Sequence, residues 1–181
     1  MKHKMAVYQN TLFVVCILVA MLIVPSLAFS GQTGIQVVTL TPNEVALKQG
    51  ESTEFVIEYN VLDGERQTTG LGLRIHFNSS AIAFLFFQDT YTGGLLAQDE
   101  TAQNDVNDLD NDPLTDKFVS IAWLGINADW PKSKQLPIKL GTIVLQAHNN
   151  RGASSTTLNV NSSSTPAGYR FYSEEVSIVI Q

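Results

Sequence analysis

Three observations predict an all-β chain, an antiparallel β-sandwich of immunoglobulin-like or jelly-roll type with about nine strands. After Ser30 no stretch repeats its apolar residues at helical spacing. Short runs instead alternate apolar and polar residues, which places one face of each run in a core and the other in water. Gly, Pro, Asn and Asp separate these runs at short intervals, as the turns of a sandwich require.

The elements follow in order. Ile35 to Leu40 reads as a first strand, Thr41-Pro-Asn43 as a turn, and Glu44 to Leu47 as a short strand. Lys48-Gln-Gly-Glu51 reads as a hairpin-like turn. Thr53, Phe55, Ile57 and Tyr59 then alternate with Glu54, Val56, Glu58 and Asn60, a half-buried strand. Leu71, Leu73, Ile75 and Phe77 alternate with Gly72, Arg74 and His76, which predicts one wet face. Ile82 to Phe87 is another apolar strand, and Tyr91 to Asp116 reads as an acidic, loop-rich segment. Val119, Ile121 and Trp123 point one way from the next strand. Leu136 to Ala147 is a long strand with a bulge expected at Gly141-Thr142. Thr156 to Val160 and Val176 to Ile180 close the domain, with Tyr169 and Phe171 between them.

The 181 residues are enough for one ordinary domain once the amino terminus is set aside. Residues 1–30 read as a secretory signal peptide: Met-Lys-His-Lys4 is a positive start, Leu12 to Val24 an apolar core, and Ala28-Phe-Ser30 a small-residue cleavage site. Cleavage is expected after Ser30, with Ala28 as the second choice and an uncleaved anchor as the alternative. Residues 31–181 then form a single domain that is secreted, extracellular or periplasmic, with no membrane association after cleavage. The one cysteine, Cys16, lies in the apolar run without the small residue that precedes a lipidated cysteine. The mature chain therefore has no thiol chemistry and no disulfide. Losing Lys2 and Lys4 takes the formal net charge from −6 to −8, and no basic cluster remains, so nucleic acid is not an expected partner.

The acidic segment is the first candidate site. Asp105, Asp108, Asp110, Asp112 and Asp116 crowd within one loop, and such carboxylates repel unless they are solvated or share a cation. Oxygen-only donors at alternating positions suit a hard ion, so structural Ca2+ is the expected cofactor, with Asp99 and Glu100 as completing ligands. The segment is not an EF-hand: Pro113 stands at the glycine position and Val119 at that of the bidentate Glu. The alternative is a solvated acidic loop.

Trp130, beside Asn127 and Asp129, is a candidate sugar-stacking residue, though a large aromatic more often packs. Tyr91 and Tyr169 carry the same two readings. Arg74 and His76, with Glu54 and Glu58, are candidates for a ligand-binding sheet face, and a metal role for His76 would need partners that the sequence does not reveal. Asn78-Ser-Ser80 and Asn161-Ser-Ser163 match glycosylation sequons. No nucleophile elbow, zinc-protease helix or phosphate loop is present, and the acids cluster in one loop, so the chain is not expected to be an enzyme.

These residues resemble a known family. Gly50-Glu-Ser-Thr-Glu-Phe-Val-Ile57, Gly70-Leu-Gly-Leu-Arg-Ile-His-Phe-Asn-Ser-Ser-Ala-Ile82 and Leu140-Gly-Thr-Ile-Val-Leu145 resemble, in that order, strands of cohesin-like domains in the cohesin and carbohydrate-binding-module superfamily. Thr165-Pro-Ala-Gly-Tyr169 and the last strand are compatible with it. The resemblance implies a jelly-roll sandwich that docks a dockerin-like protein module on one sheet face, or binds a polysaccharide as related sandwiches do. Two further readings stay open: a carbohydrate-binding module proper, and a structural subunit of an envelope or biofilm assembly. The acidic insertion departs from the family pattern.

Overall fold

The computed structural model describes residues 34–132, 135–149 and 154–181. Residues 1–30, read from the sequence as a signal peptide, lie outside the described residues. Twelve strands form two facing sheets, and no helix occurs among the described residues.

The five-stranded sheet has the order β11-β1-β3-β9-β5. It contains β1 (Gly34–Thr41), β3 (Ser52–Leu62), β5 (Ile82–Gln88), β9 (Ile138–Ala147) and β11 (Tyr169–Ser173). The seven-stranded sheet runs β2-β12-β10-β4-β8-β6, with β7 also paired to β8. It contains β2 (Glu44–Leu47), β4 (Gly70–Phe77), β6 (Leu95–Gln98), β7 (Gln103–Asn104), β8 (Lys117–Leu124), β10 (Ser154–Ser164) and β12 (Val176–Ile180).

The sandwich is as expected; its strand count and pairing differ. The acidic segment contains the short edge strands β6 and β7, and β11 is a strand of its own. Two pairs are parallel, β1 with β11 and β2 with β12, so both sheets are mixed rather than purely antiparallel. The turn at Lys48 to Glu51 is real: Glu51 N–H donates to the Lys48 carbonyl at 3.0 Å, and Gly50 holds a φ of 75°. It is no hairpin, because β2 and β3 belong to different sheets. The expected bulge is present one residue early: Ile57 pairs with Gly141 and Glu58 with Lys139, which leaves Leu140 unopposed.

Alternation decides which side chains meet between the sheets. Phe55, Ile57 and Tyr59 of β3 face Leu71, Leu73, Ile75 and Phe77 of β4, Val119, Ile121 and Trp123 of β8, and Val176, Ile178 and Ile180 of β12, all buried. One polar group sits within this layer. Gln36 donates from Nε2 to the Tyr59 hydroxyl at 2.9 Å and to the Gly70 carbonyl at 3.2 Å. Burial pushes the Tyr59 hydroxyl up to about 12, so it stays a neutral hydrogen-bonding group at any physiological pH.

Candidate functional site

The alternate residues of β4, β8 and β10 face outward from the seven-stranded sheet. Register lines them up in rows: Ala97, Ala122 and Gly72 with Ser164; Ser120, Arg74 and Asn161; Phe118, His76 and Asn159. The acidic loop from Asp99 to Asp116 lies over part of this surface.

His76 is therefore not on a wet face. It is fully buried beneath the loop. Its Nδ1 lies 2.8 Å from Asp105 Oδ2 and 3.7 Å from Asp110 Oδ1, and both carboxylates are themselves buried, with side-chain exposures of 0% and 3%. The sequence reading went wrong because a strand's outward face is wet only if nothing crosses it. Phe118 was the available warning, since an aromatic side chain directed outward from β8 asks for cover. Its ring lies 5.3 Å from His76, and the Arg74 guanidinium lies 5.7 Å from its centroid. Arg74 is half-buried in this contact and stays at the sheet surface.

The sheet beneath grips the loop carboxylates. Asn159 Nδ2 donates to Asp110 Oδ2 at 2.9 Å and to Asp112 Oδ2 at 3.0 Å. The Thr115 hydroxyl donates to Asp110 Oδ2 at 2.8 Å, and Leu109 N–H is shared by the two oxygens of Asp105 at 3.1 Å each. Asn161 Nδ2 donates to the Leu109 carbonyl at 2.6 Å. Asp99 accepts from Ser120 N–H and Gln103 Nε2, both at 2.8 Å.

The five aspartates proposed as one calcium sphere do not converge. Among the described residues, the one set of three or more His, Cys, Asp or Glu with donor atoms within 4.8 Å of one another is His76, Asp105 and Asp110. Asp112 is held by Asn159, and Asp108 is exposed at a φ of 50°. Asp116 turns instead to Ser79, accepting its N–H and its hydroxyl at 2.6 Å each. Burial alone would raise the Asp116 pKa, but these two bonds outweigh it and hold the carboxyl below its ordinary 3.8. Sequence spacing failed here because the loop's own turns, such as Thr115 N–H to the Asp112 carbonyl at 3.0 Å, and its contacts with β10 send the carboxylates to different partners.

Trp130 is not a binding residue on a surface. It is fully buried, its ring 4.8 Å from Tyr59 and 6.1 Å from Trp123, and its backbone forms a bridge with Thr68. A ring with no exposed surface offers no face to a sugar. Gly94, at a φ of 120°, allows the close approach: a side chain there would meet the Leu124 carbonyl at 2.8 Å and the Trp130 ring at 3.1 Å.

Past the loop, the other end of the outer face is bare. Leu95 of β6 pairs with Leu124 of β8, and they are 58% and 52% exposed. Ile126, in the following turn, is 80% exposed. Leu95 and Leu124 line two adjoining depressions, one with Gly70, Gly72 and Ala122, the other with Ile126 and Asp129. Sequence reasoning missed this patch because Leu95 to Gln98 was taken as loop.

The two-sheet fold is similar to that of cohesin modules. The fold is similar to that of the seventh ScaB type I cohesin from Pseudobacteroides cellulosolvens, at a TM-score of 0.56 and 7% identity over 81% of this chain and 92% of that one. It is similar also to the third ScaC cohesin of Acetivibrio cellulolyticus, solved in complex with the ScaB dockerin, at 0.55 and 10% identity over 80% and 98%. A third match is CaCohA2 from Clostridium acetobutylicum, at 0.50 and 14% identity over 82% and 91%. The chain thus has a cohesin-like fold. No protein-family model matches it, and no curated protein does by sequence.

Proposed function

We propose that this protein is a secreted, non-catalytic recognition module that docks a dockerin-like protein partner on the bare end of the seven-stranded sheet. The exposed Leu95, Leu124 and Ile126 around two shallow depressions carry this reading. Aliphatic side chains grouped on a rigid sheet suit a protein surface, where apolar burial at the patch centre supplies the affinity. Val106 and Leu114 on the acidic loop are also exposed, but they stand apart among carboxylates. The cohesin-like fold, one example of which is solved with a dockerin, supports the class of partner. The leader-like sequence of residues 1–30 supports secretion.

Polysaccharide fits less well. With Trp130 buried, the large exposed aromatics among the described residues are Phe86 on β5 and Tyr172 on β11. These strands are the two edges of the five-stranded sheet. Four strand spacings separate them, on the order of 19 Å, too far for one stacking platform.

The test is capture. The protein is immobilised and offered the secreted proteins of its source organism and, separately, insoluble polysaccharides. The double variant Leu95→Asp/Leu124→Asp is run beside it. Central apolar contacts are each worth about 1–3 kcal/mol, so the double variant should bind its protein partner at least about 30-fold more weakly. Capture by polysaccharide that the variant leaves unchanged would sink the reading.

A further inference from the structure

We infer that His76, Asp105 and Asp110 form a buried site for a zinc-class divalent cation, which clamps the acidic loop to the sheet. This site does not depend on the docking proposal. Three observations carry it.

The first is an unpaired histidine. His76 is fully buried, yet neither ring nitrogen has a hydrogen-bond partner. Asp105 Oδ2 comes within 2.8 Å of Nδ1 but lies off the N–H direction, so the contact is an ion-pair distance without a hydrogen bond. Donor atoms that converge on a point between them, rather than on each other, are what a ligand set looks like. A tetrahedral zinc ion about 2.0–2.1 Å from each donor sets those donors about 3.3 Å apart. The two distances from Nδ1, 2.8 and 3.7 Å, straddle that edge.

The second is charge. Two buried carboxylates face one imidazole, which leaves a net negative charge of one or two whichever way His76 is protonated. Among the described residues, the ion pairs shown for these two carboxylates are with His76 and not with a Lys or Arg. Uncompensated charge at this depth is costly. A divalent cation on a neutral imidazole and two carboxylates makes the site neutral.

The third is orientation. Thr115 and Asn159 hold Asp110 by Oδ2, which turns Oδ1 towards His76. Such outer hydrogen bonds fix ligating carboxylates. Asn161, two residues along β10 from Asn159, has a buried Oδ1 without a partner, a further oxygen on the same outward face. The imidazole donor selects the metal class. Nitrogen ligands suit zinc and its first-row neighbours, whereas calcium takes oxygen ligands alone. A cation on Nδ1 would also select the Nε2–H tautomer, which nothing in the packing otherwise does.

The experiment is metal titration of the purified protein after chelation, with Zn2+, Ca2+ and Mg2+ in turn, read by bound metal per chain and by thermal unfolding. The expected result is one equivalent of Zn2+ per chain, a raised Tm reversed by chelator, and neither effect from Ca2+ or Mg2+ at the same concentration. His76→Asn and Asp110→Asn should lose the equivalent, while His148→Asn keeps it. X-ray absorption of the zinc-loaded wild type needs no variant and should resolve one imidazole among oxygens. No stoichiometric zinc, no imidazole at the zinc, or binding that survives His76→Asn would each overturn the proposal. Calcium binding indifferent to His76 would do so too, and would return the loop to an oxygen-only site.

Discussion

The two ends of the seven-stranded sheet's outer face share strands β4 and β8 and little else. At the end crossed by the acidic loop, the outward residues are Phe118, His76 and Asn159, and polar contacts from the sheet hold carboxylates over a buried imidazole. At the other end Leu95 and Leu124 are more than half exposed beside the half-buried Ala122. The difference teaches that an outward strand position is given its meaning by what crosses it. Residues able to hydrogen-bond upward recruit a loop, and small or aliphatic ones leave a flat apolar surface. The first end is held by polar contacts, and the second leaves Leu95 and Leu124 exposed, where the proposed partner would dock.

The comparison can be broken most sharply at Asn159. Its amide bridges Asp110 and Asp112, and removing it leaves one buried and one half-buried carboxylate without that donor. Asn159→Ala should cost about 1.5–3 kcal/mol in urea unfolding, the range for hydrogen bonds to charged groups. A loss under about 0.5 kcal/mol would mean that the loop merely rests on the sheet.

A smaller effect is expected where the loop ends. The folded-state pKa of Asp116 is depressed, so its tie to Ser79 stabilises the fold above the carboxyl's ordinary 3.8. That contribution fades as pH falls through the lowered folded value. Ser79→Ala should therefore be less stable than wild type near neutrality, and the gap should close in acid. A gap that stays constant with pH would show that the variant acts through packing and not through the carboxylate.

The smallest effect belongs to the bare end. Leu124→Ser removes a side chain that is 52% exposed and should change stability by less than about 0.5 kcal/mol. A larger loss would mean that the patch is part of the core and not a free surface.

The sequence made the sandwich legible because alternation is a local signal. Phe55, Ile57, Tyr59 and the inward residues of β4 and β8 were all identifiable without a structure, as was the bulge beside Gly141. The parallel edge pairs of β11 and β2 were not, since they join residues more than a hundred positions apart. The site was only partly legible. Asp105 and Asp110 stood out by composition, but their partner His76 lies about thirty residues earlier, on a strand whose pattern promised solvent. The alternating spacing of Asp108, Asp110 and Asp112 misled because Asn159 of β10 holds Asp110 and Asp112 to the sheet while Asp108 stays exposed. Trp130, flanked by polar residues in sequence, is buried because Tyr59 and Trp123 lie on either side of it in space.

The division of the outer face into a clamped end and a docking end is tested most directly by amide hydrogen exchange on the protein alone and with its captured protein partner. The account predicts added protection over Leu95–Gln98 and from Ala122 to Ile126, with the segment from Asp105 to Asp116 unchanged. Protection confined to the acidic loop or to the five-stranded sheet would contradict it.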